Sequence, residues 1–188
     1  MGGASSTAVG GAASGSDELE LLDGTQLPCE LLGDASACSL VWGHGLGPKA
    51  PWAMTRRTCE SFAMVSDALE LEAKGVGNGE PAPFSVVIYD ARGHGGSKGW
   101  EARASCIQQF HWRGLAFDML SVAARHRAPG SGSNAAIIGG YSMGASSALW
   151  AAFLCPTAVR GLVLLCVTTA WEIRAARRGS LLAIAEGL

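Results

Sequence analysis

Two stretches of this chain match the pattern G-x-S-x-G: Gly95-Gly-Ser-Lys-Gly99 and Gly140-Tyr-Ser-Met-Gly144. In that pattern a serine sits on a strained turn between a strand and a helix, its hydroxyl exposed at the strand's end. Glycines flank it because a Cβ at either place would strike the neighbouring helix or strand. The chemistry is attack of a serine oxygen on a carbonyl carbon. Context separates the two matches. Ser142 comes directly off the apolar run Ala135-Ala-Ile-Ile138 and is followed by Ala145-Ser-Ser-Ala-Leu-Trp150, the strand, turn and helix that the pattern demands. Ser97 lies several residues past its strand, and the Lys98-to-Arg103 stretch behind it does not open an apolar helix. Ser142 is therefore the expected nucleophile.

A serine that attacks a carbonyl needs backbone N–H donors for the oxygen that gains charge. One is expected at Met143, directly after the serine, where the helix dipole adds to it. The other is expected from the loop after an earlier strand. Val41-Trp42 runs into Gly43-His-Gly-Leu-Gly47, and Leu46 is the expected donor. A glycine turn that only caps a helix is the plain alternative for this loop, and its pairing with a downstream elbow favours the oxyanion role.

The elements that must position these residues read as follows. Leu19–Leu22 and Leu27–Leu32 look like short strands around an Asp23-Gly24 turn. Cys38–Trp42, Phe84–Tyr89, Ala135–Ile138 and Val159–Val167 read as buried strands. Helical spacing covers Pro51–Leu71, Phe110–His126, Ala145–Leu154 and Trp171–Leu188. Apolar strands that alternate with helices, and lack strict polar alternation themselves, predict an α/β fold. It is a three-layer, mostly parallel sheet, with the opening hairpin antiparallel at one edge.

Trp-Gly-His-Gly-Leu-Gly at 42–47, Tyr-Asp-Ala-Arg-Gly-His-Gly-Gly-Ser at 89–97 and Gly-Tyr-Ser-Met-Gly at 140–144 resemble the α/β-hydrolase family, and among its branches the enol-lactonase and carboxylesterase type. Thr168–Ala176 is similar to a stretch in some bacterial members. The resemblance covers roughly residues 17–178. It implies a serine hydrolase of small esters, lactones or related carbonyl compounds; no cofactor and no metal are expected, and the cysteine usage and the N-terminus point to a cytoplasmic protein. A lyase or cofactor-free peroxidase would use the same serine, whereas halide displacement would need an acidic nucleophile. It further implies a histidine base and an acid, in the order Ser, acid, His. No histidine follows Ser142 in these 188 residues. The resemblance gives His44 and His94 loop-bracing roles and makes the Asp90–Ser97 loop, Asp90 and Arg92 included, structural. His111 and His126 read as surface or loop-packing residues, and Asp118 and Trp112 as framework or pocket wall. Glu172 stands where some relatives carry the acid, though an exposed residue opening a helix is the plainer reading.

The expectation is thus a tail over 1–16, a partial α/β-hydrolase core over 17–170, and the start of a cap or lid helix over 171–188. The rival reading is a non-catalytic, truncated chain acting as an interaction module. Either way, the strand around 161–167 is expected at an open edge and prone to self-association.

Composition removes other classes. Apolar residues make up 48% of the chain, enough for a core, and the net charge of −2 leaves no basic footprint for nucleic acid. Six cysteines without a C-x-x-C pair or even spacing support neither a zinc ribbon nor a disulfide framework, and read as buried thiols. Met1–Gly10 has no basic or apolar secretory segment, although Met1-Gly2 with Ser6 loosely fits the myristoylation pattern. The apolar runs near 134–155 and 161–171 are interrupted and short for membrane spans. Dinucleotide and P-loop signatures are absent.

Overall fold

The computed structural model describes residues 15–32, 38–45, 84–103, 110–127 and 135–167. They form one six-stranded sheet with strands β1 (Gly15–Glu20), β2 (Gln26–Leu32), β3 (Cys38–Gly43), β4 (Phe84–Tyr89), β5 (Ala136–Tyr141) and β6 (Val159–Leu165). Two helices, α1 (Trp112–Arg125) and α2 (Met143–Leu154), join them, with 3-10 turns at Trp100–Arg103 and Pro156–Ala158. The strand order is β1-β2-β4-β3-β5-β6. β1 and β2 run antiparallel at one edge, and β4, β3, β5 and β6 are parallel to one another. The expected helices over 51–71 and 171–188 lie outside the described residues, as do Leu46 and Glu172. Among the described residues no helix is long and apolar enough to cross a membrane.

The opening hairpin starts earlier than its apolar residues suggest. β1 begins at Gly15, inside the stretch read as tail, and Leu21 and Leu22 belong to the turn instead of the strand. Its polar residues hold their place through backbone pairing with β2, Gly15 opposite Leu31 and Glu20 opposite Gln26. Gly24 supplies the positive φ of +81° that the turn needs. Asp23 accepts a hydrogen bond from the Thr25 N–H at 3.0 Å, the side-chain turn that Asp favours.

The central strands are buried on both faces, as their unbroken apolar runs require. Val41, Val87 and Ile138 face α1 and α2, meeting Leu115, Met119 and Val122 from the first and Met143, Ala148 and Ala151 from the second. Leu40, Trp42, Val86 and Ile88 make a second cluster with Leu32. Full burial of each such large side chain contributes roughly 1.5–3 kcal/mol. In α2 the core-facing residues are small: Ala145, Ala148 and Ala151 are completely buried. That lets the helix lie close over the sheet, a closeness the elbow uses. At the far edge β6 pairs with β5 alone among the described residues, with Leu162, Val163 and Leu165 each about two-fifths exposed.

Candidate active site

β5 passes through Gly139 and Gly140, residues of low strand propensity, and both are there for space. A Cβ on Gly139 would strike the Val163 carbonyl oxygen of β6. One on Gly140 would strike the Gly43 carbonyl oxygen and come within 2.6 Å of the Gly144 carbonyl carbon. Gly43, Gly140 and Gly144 thus mark the point where β3, β5 and the start of α2 touch backbone to backbone. The chain then turns at Ser142, with φ 51° and ψ −103°, a conformation that L-residues rarely adopt.

Three backbone hydrogen bonds hold this turn. The Ser142 N–H donates to Leu165 O at 2.9 Å, the Gly144 N–H donates to His44 O at 2.9 Å, and the Ser146 N–H donates to Ser142 O at 3.0 Å. The Ser142 side chain makes no capping bond to the helix. Met143 opens α2, and its N–H belongs to the first turn, which has no intrahelical acceptors. α2 begins two residues earlier than its apolar run suggests, immediately after the serine.

β4 lies on one side of β3 and β5 on the other, so the chain reverses its direction of travel across the sheet between β3 and β5. Ser142 and the Gly43–Gly45 segment sit at the carboxyl ends of these two strands, the place where open α/β sheets bind ligands. Gly45 is brought against the elbow: a Cβ there would come within 2.7 Å of the Tyr141 ring and 3.6 Å of Ser142 Cβ. Sequence reading passed over Tyr141, and only its place inside the elbow pattern signals it. Leu46, the second expected donor, is outside the described residues.

His44 is buried at the end of β3. Its Nε2 lies 3.0 Å from the Ala91 nitrogen and its Nδ1 lies 2.8 Å from Gly45 O. Ala91 N–H can only donate and Gly45 O can only accept, so Nδ1 carries the proton and Nε2 the lone pair. Burial pushes its pKa down to about 4, against the Gly45 bond that raises it, and the neighbouring His94 adds to the lowering. The His44 imidazole is neutral with both nitrogens engaged. It is not a base for Ser142. His94 meets it edge to face at 4.9 Å and has its own Nδ1 3.1 Å from Arg92 O.

The remaining candidates are framework. Ser97 donates to His94 O at 2.7 Å and accepts from the His94 N–H at 3.2 Å, well away from any elbow geometry. Asp90 accepts from the Gly96 N–H at 2.8 Å. Arg92 forks onto Asp118 of α1 with two bonds of 2.7 Å and reaches Asp23 in the hairpin turn at 2.9 Å. This triad ties edge, loop and helix together. Burial raises the Asp118 pKa and the Arg92 fork offsets part of that, while Asp118 in turn drives the Arg92 pKa upward. His111 and His126 cap the two ends of α1, and Trp112 packs against the core. Of the described cysteines, Cys29 is buried as expected, Cys155 is half-buried, and Cys166, one residue past the end of β6, is exposed. Among the described residues no three His, Cys, Asp or Glu side chains form a metal-holding group.

The family model described as serine aminopeptidase, S33, matches residues 81–184, more than half of the chain. No curated protein matches it. Among solved structures it is similar to a thioesterase domain from the curacin biosynthetic pathway, with 20% identity and a TM-score of 0.56 over 92% of this chain and 55% of that one. A proline iminopeptidase-related protein from Thermus thermophilus gives 21% and 0.59 over 82% of this chain and 45% of that one. Epoxide hydrolase A from Mycobacterium thermoresistibile gives 20% and 0.59 over 88% and 44%. The chain spans about half the length of these structures, and at such identities the likeness concerns the fold. Together with the glycine-crossed elbow, the family match means that this chain belongs to the serine aminopeptidase S33 family of α/β-hydrolases.

Proposed function

We propose that this chain carries the nucleophile of a serine hydrolase acting on a small ester, lactone or related carbonyl substrate. Ser142 attacks the carbonyl carbon, and the N–H groups of Met143 and Leu46 receive the developing oxyanion. The leaving group departs from the tetrahedral intermediate to give an acyl-serine, which water then cleaves, restoring the hydroxyl. The observation that carries this reading is the Ser142 backbone, at φ 51° and ψ −103°, held by three backbone bonds at the sheet's reversal point.

A serine hydroxyl needs a base to take its proton. His44 has both nitrogens committed, the His94 Nδ1 donates to a carbonyl, and His111 and His126 stand at the two ends of α1. The 188 residues by themselves are accordingly slow. What remains without a base is binding and the oxyanion site, on the order of 10³–10⁴ over water in serine hydrolases stripped of a triad member.

The test is hydrolysis of p-nitrophenyl acetate by the purified chain, beside Ser142→Ala and a version extended with the C-terminal part of a relative. Slow turnover that Ser142→Ala removes and the extension raises supports the reading. Turnover that survives Ser142→Ala removes the serine from the mechanism. If the extension adds nothing to a Ser142-dependent rate, a histidine assigned here to the framework is the base.

A further inference from the structure

We propose that Tyr141 and Leu165 form a shelf for the carbon chain of the substrate's acyl group, so that the site prefers esters of straight-chain acids longer than acetate. The inference rests on Ser142 as the nucleophile. The two residues are partners across β5 and β6, and paired residues of neighbouring strands share one face of a sheet. Both stand next to the serine: Tyr141 precedes it in the chain, and the Leu165 oxygen accepts the Ser142 N–H at 2.9 Å. Each side chain is about two-fifths exposed. The Tyr141 ring is backed by Gly45, where a Cβ would come within 2.7 Å of it.

The shelf and the oxyanion donor lie on opposite faces. Side chains alternate along β5: Ile138 packs in the cluster with α1 and α2, and Ile137 packs in the cluster on the other side of the sheet. Tyr141 shares the face of Ile137, and Leu165 shares it too. In a tetrahedral intermediate the oxyanion and the carbon chain leave the reacting carbon in different directions. With the oxygen drawn to the Met143 N–H at the start of α2, the chain is directed to the face of Tyr141 and Leu165. The pair offers contact area without charge, which suits an apolar chain. A methylene fully removed from water gains about fourfold in binding, and one covered from a single side gains about twofold. Leu162 is the internal control. It lies on the same strand with nearly the same exposure, but it pairs with Ile138 and so belongs to the helix-covered face.

The experiment measures kcat/KM of the full chain for p-nitrophenyl acetate and p-nitrophenyl hexanoate, each divided by that ester's rate in buffer. The readout is the hexanoate-to-acetate ratio, in which any loss of folded protein cancels. Four added methylenes should give the parent a ratio of about fifteen. Tyr141→Ala and Leu165→Ser should each lower it at least about threefold, whereas Tyr141→Phe, which keeps the ring, and Leu162→Ser should leave it within about 1.5-fold of the parent. A parent ratio near one, or an equal fall in Leu162→Ser and Leu165→Ser, would overturn the proposal. Ser142→Ala reports separately on the nucleophile. If no Ser142-dependent turnover is found, the serine reading fails, and the shelf is decided by leucine-methyl spectra of the chain with hexanamide, an unreactive analogue. Shifts at Leu165 that exceed those at Leu162 and vanish in Tyr141→Ala uphold the shelf; equal shifts at both, or none, refute it.

Discussion

Replacing Gly144 by alanine tests whether the site depends on backbone contact between β3 and α2. The added Cβ would fall on the Gly43 carbonyl oxygen and carbon, and at 2.7 Å from Gly43 Cα. All three are backbone atoms of a central strand, so no side chain can swing aside. β3 is bonded to β4 on one side and β5 on the other, and it cannot retreat alone. The helix must lift instead, and its lifting stretches the 2.9 Å bond from the Gly144 N–H to His44 O. Overpacking costs ~1–3 kcal/mol, and backbone contact places this case at the top of that range. The hydrogen bond adds ~1 kcal/mol, and the better helix propensity of alanine returns about the same amount. The net expectation is a loss of about 3 kcal/mol, against a total stability of roughly 5–15 kcal/mol for a domain.

The control is Gly161→Ala in β6. There the nearest atoms to the new Cβ are Ile137 Cγ1 and Cγ2 at 3.5 and 3.6 Å, ordinary contacts. It should change stability by no more than ~0.5 kcal/mol. Urea unfolding followed by tryptophan fluorescence measures both, with equal m-values as the check that the unfolded states are comparable. A loss below about 1 kcal/mol for Gly144→Ala, or one no larger than the control, would show that α2 is free to move and that the glycine crossing does not fix the elbow.

Three further outcomes are expected. Arg92→Met leaves Asp118 buried without its fork and should cost ~3–5 kcal/mol, most of it recovered by adding Asp118→Leu; an unrecovered double mutant in urea melts would contradict the pairing as the cause. Because His44 titrates near 4 when folded and near 6.5 when unfolded, the unfolded chain binds the extra proton between those values. Stability should therefore fall by about 3 kcal/mol as pH drops from 6.5 to 4, with half-buried His126 acting in the same sense; thermal midpoints that stay flat across that window would refute it. Leu162→Lys on the open edge should lower self-association of the chain in sedimentation velocity, and a parent that already sediments as a monomer would remove the premise.

The site was legible in the sequence where its geometry is written in adjacent residues. Gly140, Ser142 and Gly144 are close in the chain because each serves the same tight turn, and β3, β4 and β5 announce themselves by apolar, β-branched runs. β1 was legible only in part, since Gly15 to Glu18 have no apolar pattern and are placed by backbone pairing with Leu31 to Pro28. The Arg92–Asp118–Asp23 triad could not be read, because its members are separated in the chain and meet only after α1 and the hairpin have packed. Likewise the tautomer of His44 depends on a carbonyl next to it in sequence and an N–H from the next parallel strand's loop. Fine placement of polar partners follows packing, and packing is not local.

Strain by itself does not single out the serine. Cys166 has φ 52° as well, nearly that of Ser142, and it is an exposed residue at the end of β6. A non-glycine residue in such a conformation costs ~1–3 kcal/mol and persists only where its surroundings overdetermine it. At Ser142 those surroundings are explicit: Leu165 O on its own N–H, Ser146 N–H on its own oxygen, and His44 O on the Gly144 N–H. Three glycines let the strands and helix come close enough for those bonds to form. Each of the bonds ties the turn to a different element: β6, α2 and the end of β3. A helix cap would need none of this, and the Ser142 side chain makes no capping bond. The arrangement leaves the Ser142 side chain without a capping bond at the start of α2, beside first-turn N–H groups that have no intrahelical acceptor. That combination is what distinguishes Ser142 from Ser97, whose hydroxyl is consumed by His94.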